Sequence, residues 1–183
     1  MFIEVYMEII KLSKKNLIDI NKANEPFDVI GKLKPIFTNG EWTYTEELLD
    51  APYSKSYPND DCDYSEYIDN PDKIIFLAYS EGTCVGQIVL RKDWNQYAFV
   101  EDICVSKVVR GQGVGTALIH KATKWAESVD MKGLALETQD NNLWACRFYA
   151  KCGFSIGAVN TMLYKNFEKP WSDETAIIWY KKF

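Results

Sequence analysis

The sequence predicts an α/β (α+β) fold in which a sheet is covered by helices. Strand-length apolar runs dominate the chain from Lys73 onwards, and helical patterns are interleaved with them in the second half. The 183 residues include 47% hydrophobic and 26% charged residues, which is ordinary globular composition. We therefore expect a single domain over residues 1–183, with a less typical part at 1–72 and a core at 73–183.

The beginning of the chain carries weaker patterns than the rest. Glu8–Leu12 favours a short strand, and Lys14–Ala23 favours a polar helix capped by Ser13. Glu25–Pro35 has a proline near each end, which is typical of a change in direction. Trp42–Glu46 alternates aromatic with small polar residues and predicts a strand.

The segment Ala51–Asp72 is rich in turn-forming residues and predicts a loop, with one helical turn near Tyr64–Ile68. Six acidic residues and no basic residue lie between Asp60 and Asp72. Two interpretations stay open for this acidic run. It is either a solvated loop or a surface that attracts a cationic substrate.

The periodicity sharpens after Asp72. Lys73–Tyr79 and Cys84–Leu90 are apolar runs joined by a four-residue turn, which predicts a hairpin. Tyr97–Val105 predicts a strand with Phe99, Glu101, Ile103 and Val105 on one face and Asp102 on the other. The elements expected after it are a helix at Val114–Val129, a strand at Leu134–Thr138, a helix at Leu143–Lys151 ended by Gly153, and strands at Ile156–Leu163 and Ala176–Tyr180.

Charge and cysteine content exclude several classes of function. A formal net charge of −5 argues against nucleic-acid binding, because neutralising phosphates needs a basic surface. No apolar run approaches the roughly 20 residues of a membrane-spanning helix, and the N-terminus lacks a signal-peptide pattern, so we expect a cytoplasmic protein. The five cysteines show no Cys-x-x-Cys spacing, which predicts reduced thiols and no metal site.

A glycine-rich segment between a strand and a helix predicts a phosphate-binding loop. It lacks the lysine of a Walker loop and the spacing of a dinucleotide fingerprint. The pattern Arg/Gln-x-x-Gly-x-Gly/Ala resembles the coenzyme A pyrophosphate loop of the GNAT acetyltransferases. This resemblance implies binding of acetyl-CoA by Arg110, Gly111, Gln112, Gly113, Val114, Gly115 and Thr116.

A second GNAT-like signature follows the next strand, with Asn142, Ala145 and Tyr149 at matching positions before Gly153-Phe154. The resemblance implies that Tyr149 protonates the departing CoA thiolate and that Asn142 and Ala145 lie at the pantetheine. From the residues alone, Asn142 is equally a helix cap and Tyr149 a packed aromatic. The family fold is a mixed, mostly antiparallel sheet of about seven strands whose fourth and fifth members splay apart, and its members are monomers or homodimers.

The chemistry expected for such an enzyme is direct transfer of the acetyl group to an amine. Backbone N–H groups of Ile103, Cys104 and Val105 would bind the pantetheine and the thioester oxygen. Among the carboxylates that could accept the proton of the amine, Glu101 is the first candidate, Asp102 the second and Glu137 the third. His120 lies in the middle of a predicted helix and is expected to be a surface or packing residue.

Further stretches of Lys73–Phe183 resemble the streptothricin acetyltransferases, among them Leu136–Asn142, Ala150–Phe154 and Asp173–Tyr180. The resemblance implies acetylation of the β-lysine amine of a cationic antibiotic, with Trp94, Glu101, Asp102 and Glu137 as substrate residues. Three alternatives stay open. They are another amine substrate (a polyamine, an aminoglycoside or a protein lysine), a non-catalytic acyl-CoA sensor, and a nucleotide-binding protein.

Overall fold

The computed structural model describes residues 7–183, which contain nine strands and two α-helices. The strands are β1 (Met7–Lys11), β2 (Phe27–Thr38), β3 (Glu41–Lys55), β4 (Lys73–Ser80), β5 (Thr83–Lys92), β6 (Ala98–Val105), β7 (Gly133–Gln139), β8 (Ser155–Asn160) and β9 (Ala176–Lys182). The helices are α1 (Val114–Ser128) and α2 (Leu143–Lys151), and 3-10 helices lie at Leu17–Asp19, Tyr64–Tyr67, Lys107–Val109 and Trp171–Asp173. The stretch Met1–Tyr6, on which the expectation about a signal peptide rests, lies outside the described residues.

The chain forms two compact units. The first contains the described residues up to Glu25 together with Ser56–Leu134, and the second contains Pro26–Lys55 and Ala135–Phe183. Seven strands make up the main sheet, in the order β1-β4-β5-β6 in the first unit and β7-β9-β8 in the second. β2 and β3 form a separate two-stranded sheet in the second unit. Seven sheet strands with two helices confirm the predicted α+β fold class.

The first unit is built around the β4–β5 hairpin, which the sequence predicted. Its turn residues Glu81 and Gly82 have φ angles of 49° and 78°, as a two-residue hairpin turn requires. One face of the sheet covers a core that includes Leu12, Ile75 and Leu77. α1 contacts β5 and β6. Of the apolar positions that the periodicity predicted, Leu118, Ala122 and Ala126 are buried, and Trp125 and Val129 are half-buried.

The predicted alternation of side chains along β6 is wrong, because the strand contains a bulge. Asp102 lies opposite Val89 and Val100 lies opposite Leu90, so Glu101 has no partner residue on β5. Gln87, Val89 and Arg91 share one face of β5, and their partners Cys104, Asp102 and Phe99 therefore share that face of β6. Ile103 and Val105 face the other way. We expected Asp102 on the face opposite Phe99, but the bulge places both residues on the same face.

The β2–β3 hairpin of the second unit was largely missed. Glu25–Pro35 does not change direction; most of it lies in β2, where Val29 and Leu33 are buried. Pro35 is tolerated because β2 pairs only with β3 in this two-stranded sheet, and prolines occur on edge strands. The predicted strand Trp42–Glu46 lies near the start of β3, which continues through the first residues of the expected Ala51–Asp72 loop.

Two further predictions need correction. Lys14–Ala23 contains only a 3-10 turn, since the Asn16 side chain accepts a hydrogen bond from the Ser13 N–H at 2.7 Å and Asn21 has a left-handed φ of 65°. Such local bonds compete with helix formation. The strand expected at Ile156–Leu163 ends at Asn160, whose side chain accepts from the Met162 N–H at 2.9 Å and closes a turn.

A buried ion pair joins the end of β3 to the segment before β9 in the second unit. Lys55 and Glu174 form this pair with side chains only 8% and 3% exposed. The amide of Asn141 donates to the same Glu174 oxygen at 3.2 Å, and the Lys55 ammonium lies 4.4 Å from the centre of the Trp171 ring. Burial lowers the pKa of Lys55, and the bond to Glu174 opposes that shift.

Removing one partner of this pair should destabilise the protein strongly. We expect Lys55→Met to lower the free energy of unfolding by about 3–5 kcal/mol, because it leaves the Glu174 carboxylate buried without its counter-charge. The double variant Lys55→Met/Glu174→Leu should recover most of the loss. Urea denaturation monitored by tryptophan fluorescence measures both values.

The exposed pair Lys34–Glu47 supplies the control. Its side chains are 49% and 67% exposed, so Lys34→Met should leave the urea midpoint unchanged. A Lys55→Met protein as stable as the Lys34→Met protein would contradict the role given to the buried pair.

Candidate active site

The glycine loop before α1 is an open cradle of backbone groups. Gly111 and Gly113 have φ angles of 80° and 92°, and a Cβ added at either would meet no atom within 4 Å. Backbone geometry therefore demands glycine here, and the space above the loop is open. The first-turn N–H groups of Val114, Gly115 and Thr116 have no acceptor inside the helix. Such a helix N-terminus is suited to a phosphate group.

Two polar side chains of this loop are engaged with the backbone. The Arg110 guanidinium donates from Nε to the Val105 carbonyl at 2.8 Å and from a terminal nitrogen to the Glu25 carbonyl at 3.2 Å. Gln112 donates to the Val108 carbonyl at 3.1 Å. These bonds brace the loop against the end of β6. The side chains of Arg110 and Gln112 are therefore bonded to backbone carbonyls, and backbone N–H groups line the open side of the loop.

Glu101 is held by a cation and a hydroxyl group. Its Oε1 lies 3.2 Å from Arg91 Nε, and its Oε2 accepts a hydrogen bond of 2.6 Å from the Tyr67 hydroxyl. Arg91 also pairs with Asp93 at 3.0 Å and lies 5.0 Å from the centre of the Phe99 ring. Burial, followed by the bond to Glu101, raises the pKa of Tyr67. Both Glu101 oxygens are thus engaged.

Asp102 has a different environment. Its Oδ2 accepts a 2.6 Å hydrogen bond from the Gln87 amide. Within residues 7–183, no lysine or arginine forms an ion pair with it. Burial raises its pKa, while the bonds from Gln87 and from the Ile103 backbone and Cys104 side chain lower it, and the Asp60 charge adds to the rise. Asp102 is a desolvated carboxylate held by neutral donors.

The acidic segment contributes aromatic hydroxyls beside these carboxylates. The predicted helical turn is a 3-10 helix at Tyr64–Tyr67, and Asp63 before it is the N-cap. Tyr64 accepts a hydrogen bond from the Asn21 amide at 3.2 Å, and burial raises the pKa of Tyr64 to about 12. Its ring centre lies 6.4 Å from that of Tyr67. Part of the acidic segment is therefore ordered against β6, although Asp60 and Asp61 are exposed.

The residues predicted to bind pantetheine lie at the end of β6. Ile103, Cys104 and Val105 are half-buried, and each has a partner residue on β5. Because N–H groups of an antiparallel strand alternate between its two sides, part of this set points away from β5. Burial raises the pKa of the Cys104 thiol, so it stays a neutral thiol.

Trp94 and His120 are surface residues of the first unit. Trp94 lies between β5 and β6 and is 90% exposed, an exposure rare for so large an apolar side chain. His120 is exposed on α1, which agrees with the expected surface position.

In the second unit, Glu137 on β7 belongs to a separate polar group. The Tyr164 hydroxyl donates to the Glu137 carboxylate and accepts a bond of 2.7 Å from the Gln139 amide. Burial raises the pKa of Glu137, and the Tyr164 hydrogen bond opposes that shift. Glu137 is thus a half-buried carboxylate with a phenolic partner.

The second signature forms α2 as its spacing predicted. Asn142 caps the helix, with its side chain accepting from the Ala145 N–H at 3.2 Å. The helix ends before Gly153, which has a φ of 87°. Tyr149 is 6% exposed, and its ring centre lies 5.7 Å from that of Phe154 and 6.4 Å from that of Trp179. The structure therefore confirms that Asn142 is a helix cap and Tyr149 a packed aromatic, and the roles that the family implies for both stay predictions.

Neither a metal cluster nor a membrane span is found in the part of the chain that the structure describes. In residues 7–183, no group of three histidine, cysteine or acidic side chains could hold a metal ion. Over the same range, no helix is long and apolar enough to cross a membrane.

Sequence reasoning missed the residues that hold the two carboxylates. Gln87 gave a signal, as the lone amide in the apolar run Cys84–Leu90. Tyr64 and Tyr67 lay in the acidic segment already singled out. Arg91 and Asn21 gave no signal, because their contacts depend on strand register and on a left-handed turn.

Comparisons with known proteins place the chain in a family. Residues 42–154 match the model of the acetyltransferase (GNAT) family. The chain is 54% identical over 175 residues to streptothricin acetyltransferase A of Bacillus subtilis, covering 96% of this chain and 99% of that protein. It is 43% identical to a streptothricin acetyltransferase of Escherichia coli, covering 71% of each chain.

A solved structure agrees with these matches. A Bacillus anthracis protein provisionally named streptothricin acetyltransferase, crystallised with acetyl coenzyme A, superimposes with a TM-score of 0.89 at 41% identity, covering 97% of this chain and 99% of that one. The family model spans the glycine loop, the β6 carboxylates and α2. This chain therefore belongs to the GNAT acetyltransferase family.

Proposed function

We propose that the protein is an acetyl-CoA-dependent N-acetyltransferase that acetylates the β-lysine amine of streptothricin and so confers resistance. The observation that carries the proposal is the 54% identity to streptothricin acetyltransferase A over 96% of the chain. The open glycine loop supports the donor, since it suits a diphosphate. The two carboxylates of β6 support a cationic amine as the acceptor.

The donor is held mainly by backbone groups. N–H groups of Gly111 and of Gly113 to Thr116 bind the diphosphate of acetyl-CoA, where the helix dipole favours negative charge, whereas the Gln112 N–H donates to the Val109 carbonyl. N–H groups of Ile103–Val105 that point away from β5 bind the pantetheine and the thioester oxygen. Donors of this kind stabilise the charge that develops on the carbonyl oxygen, often the largest electrostatic contribution to acyl transfer.

Asp102, in this proposal, accepts the proton of the substrate ammonium. An aliphatic amine has a pKa near ~10.4, so it must lose a proton before it can attack. The Glu101 charge is paired with Arg91, whereas Asp102 is desolvated and bonded to a neutral amide. A raised pKa makes a carboxylate a better base near neutral pH. Glu101, which we expected first, is assigned to positioning the cationic substrate together with Trp94, and a substrate role for Glu137 stays a prediction.

The transfer then follows without a covalent enzyme intermediate. The neutral amine attacks the thioester carbonyl carbon and forms the C–N bond. The C–S bond breaks, and the sulfur leaves with its electron pair. Tyr149 delivers a proton to that sulfur, a role carried over from the family pattern, and regains a proton from water. The acetylated amine releases its extra proton to water, to which Asp102 also passes the proton that it took from the ammonium.

The first test is product formation. We expect the purified protein to release one thiol from acetyl-CoA per streptothricin consumed, and the antibiotic to gain the mass of one acetyl group on its β-lysine moiety. Spermidine and kanamycin serve as competing amines in the same assay.

A preference for either competitor would refute the substrate. Tight CoA binding without thiol release would point to a sensor instead. Thermal stabilisation by ATP but not by CoA would remove the donor assignment as well.

Gly113→Ala tests the open cradle. The alanine is strained at a φ of 92° and its methyl group enters the empty space above the loop, so we expect KM for acetyl-CoA to rise about tenfold or more. Steady-state kinetics at saturating amine measures the change.

Gly82→Ala is the matched control. Gly82 also has a positive φ, 78°, with no atom within 4 Å of an added Cβ, but it lies in the β4–β5 turn. Both variants should lose similar thermal stability, and only Gly113→Ala should change KM. Equal kinetic effects in both variants would count against the cradle.

The two carboxylates are separated by pH–rate profiles. Asp102 must be ionised to accept a proton, so the rate falls as the pH drops through its pKa, which burial places above the ordinary aspartate range. Asp102→Asn should lower kcat by about 10²–10⁴-fold and abolish this acid limb. Glu101→Gln should raise KM for the amine and retain the limb. The reverse pattern would return the base role to Glu101.

A further inference from the structure

We propose that Gln87 is a positioning residue for the transfer reaction: its side-chain amide aims the Asp102 carboxylate and connects it to the turn at Asn21. The inference rests on the proposed function, because it assigns a role around the base of that reaction. Gln87 lies on β5, outside both GNAT-like signatures, and is 1% exposed. A buried amide in an apolar strand costs free energy unless all its hydrogen bonds are made.

The orientation of the Gln87 amide is unambiguous. Its Oε1 accepts from the backbone N–H of Asn21 at 2.7 Å, and a backbone N–H can only donate. The other amide atom is therefore the Nε2, which donates one hydrogen to Asn21 Oδ1 at 2.9 Å and the other to Asp102 Oδ2 at 2.6 Å. Both hydrogens and the oxygen are used. An amide cannot rotate without breaking all three bonds.

This arrangement defines the hydrogen-bonding role of Asp102 Oδ2. Since Gln87 Nε2 is a donor, Asp102 Oδ2 is the acceptor of this bond. An amide donor stabilises a carboxylate less than a guanidinium would, and Asp102 has no guanidinium partner like the one that Arg91 provides to Glu101. The amide thus orients the base without cancelling its charge.

Other groups face Asp102 from the elements around it. The Cys104 thiol and the Ile103 N–H lie on its own strand, and Asp60 acts from the acidic segment. Burial holds the Cys104 thiol neutral, and Asp60 raises the Asp102 pKa. Gln87 is therefore the side chain from a neighbouring strand that donates directly to this carboxylate.

Asn21 extends the hydrogen-bonded connection from Gln87 to Tyr64 of the acidic segment. Its φ of 65° is tolerated by asparagine better than by most residues. With Oδ1 occupied by Gln87, its Nδ2 donates to the Tyr64 hydroxyl at 3.2 Å. The bonds run from Asp102 through Gln87 and Asn21 to the acidic segment. A displacement of Tyr64 is thereby coupled to the orientation of the base.

The experiment compares Gln87→Met and Gln87→Glu in the streptothricin assay over a range of pH. Methionine keeps the length and apolar bulk but cannot donate, so we expect kcat to fall about ten- to hundredfold, as for loss of a hydrogen bond to a charged group. KM for acetyl-CoA should stay unchanged. Glutamate is isosteric, and its charge beside Asp102 should move the acid limb of the rate profile to higher pH.

Two further variants separate positioning from folding. Asn21→Gly keeps the left-handed turn and the backbone bond to Gln87, and should lower kcat less than Gln87→Met does. Asn16→Ala removes another buried amide of the first unit, which accepts from Ser13, and should cost thermal stability without moving the acid limb. If Gln87→Met does not fold, the isosteric Gln87→Glu and Asn21→Gly decide the question.

The outcomes distinguish the two proposals. A wild-type enzyme that acetylates streptothricin, together with Gln87 variants whose kcat and acid limb match wild type or Asn16→Ala, would overturn the role of Gln87 and leave the function intact. A wild-type protein without activity would overturn the proposed function itself.

Discussion

One extra residue in β6 determines how the first unit presents its carboxylates. Without the bulge, Glu101 and Asp102 would project to opposite faces of the strand. Because Glu101 has no partner on β5, the side-chain alternation shifts after it. Asp102 then faces Gln87, while Glu101 still reaches Arg91. Two adjacent acids are thereby placed beside the same strand, and each receives a different partner from it.

In the proposed reaction, these different partners give Glu101 and Asp102 different roles. A carboxylate paired with a guanidinium is stabilised as an anion and is a poor proton acceptor, but it keeps a negative site in place for a cation. A desolvated carboxylate held by an amide keeps its basicity. Arg91 is charged and Gln87 is neutral, and both side chains lie on the same face of β5. The alternation of side chains along β5 therefore places a cation beside Glu101 and a neutral amide beside Asp102.

The two α-helices and the glycine loop before α1 could be predicted because their signals are local. Gly111 and Gly113 mark the start of α1 in the sequence. α2 begins directly after its cap, Asn142, and ends at Lys151, as the spacing predicted. β2 was missed because Pro26 before it and Pro35 within it suggested a turn, although Val29, Gly31 and Leu33 are buried at every second position. The bulge left no signal in the sequence, since it arises from pairing with β5. The partners of Glu101 and Asp102 therefore lay beyond sequence reasoning, and with them the ranking of the two acids.

The adjacent residues Gly86 and Gln87 show why these requirements meet on β5. A Cβ at Gly86 would lie 3.1 Å from the Cys104 carbonyl and 3.2 Å from both Val114 and Leu118. The missing side chain thus lets the first turn of α1 pack closely on the strand. Gln87 projects from the other face of β5, where its amide donates to Asp102. These two consecutive residues of β5 therefore set the position of the helix that binds the donor phosphates in the proposed reaction and the orientation of the carboxylate proposed as the base.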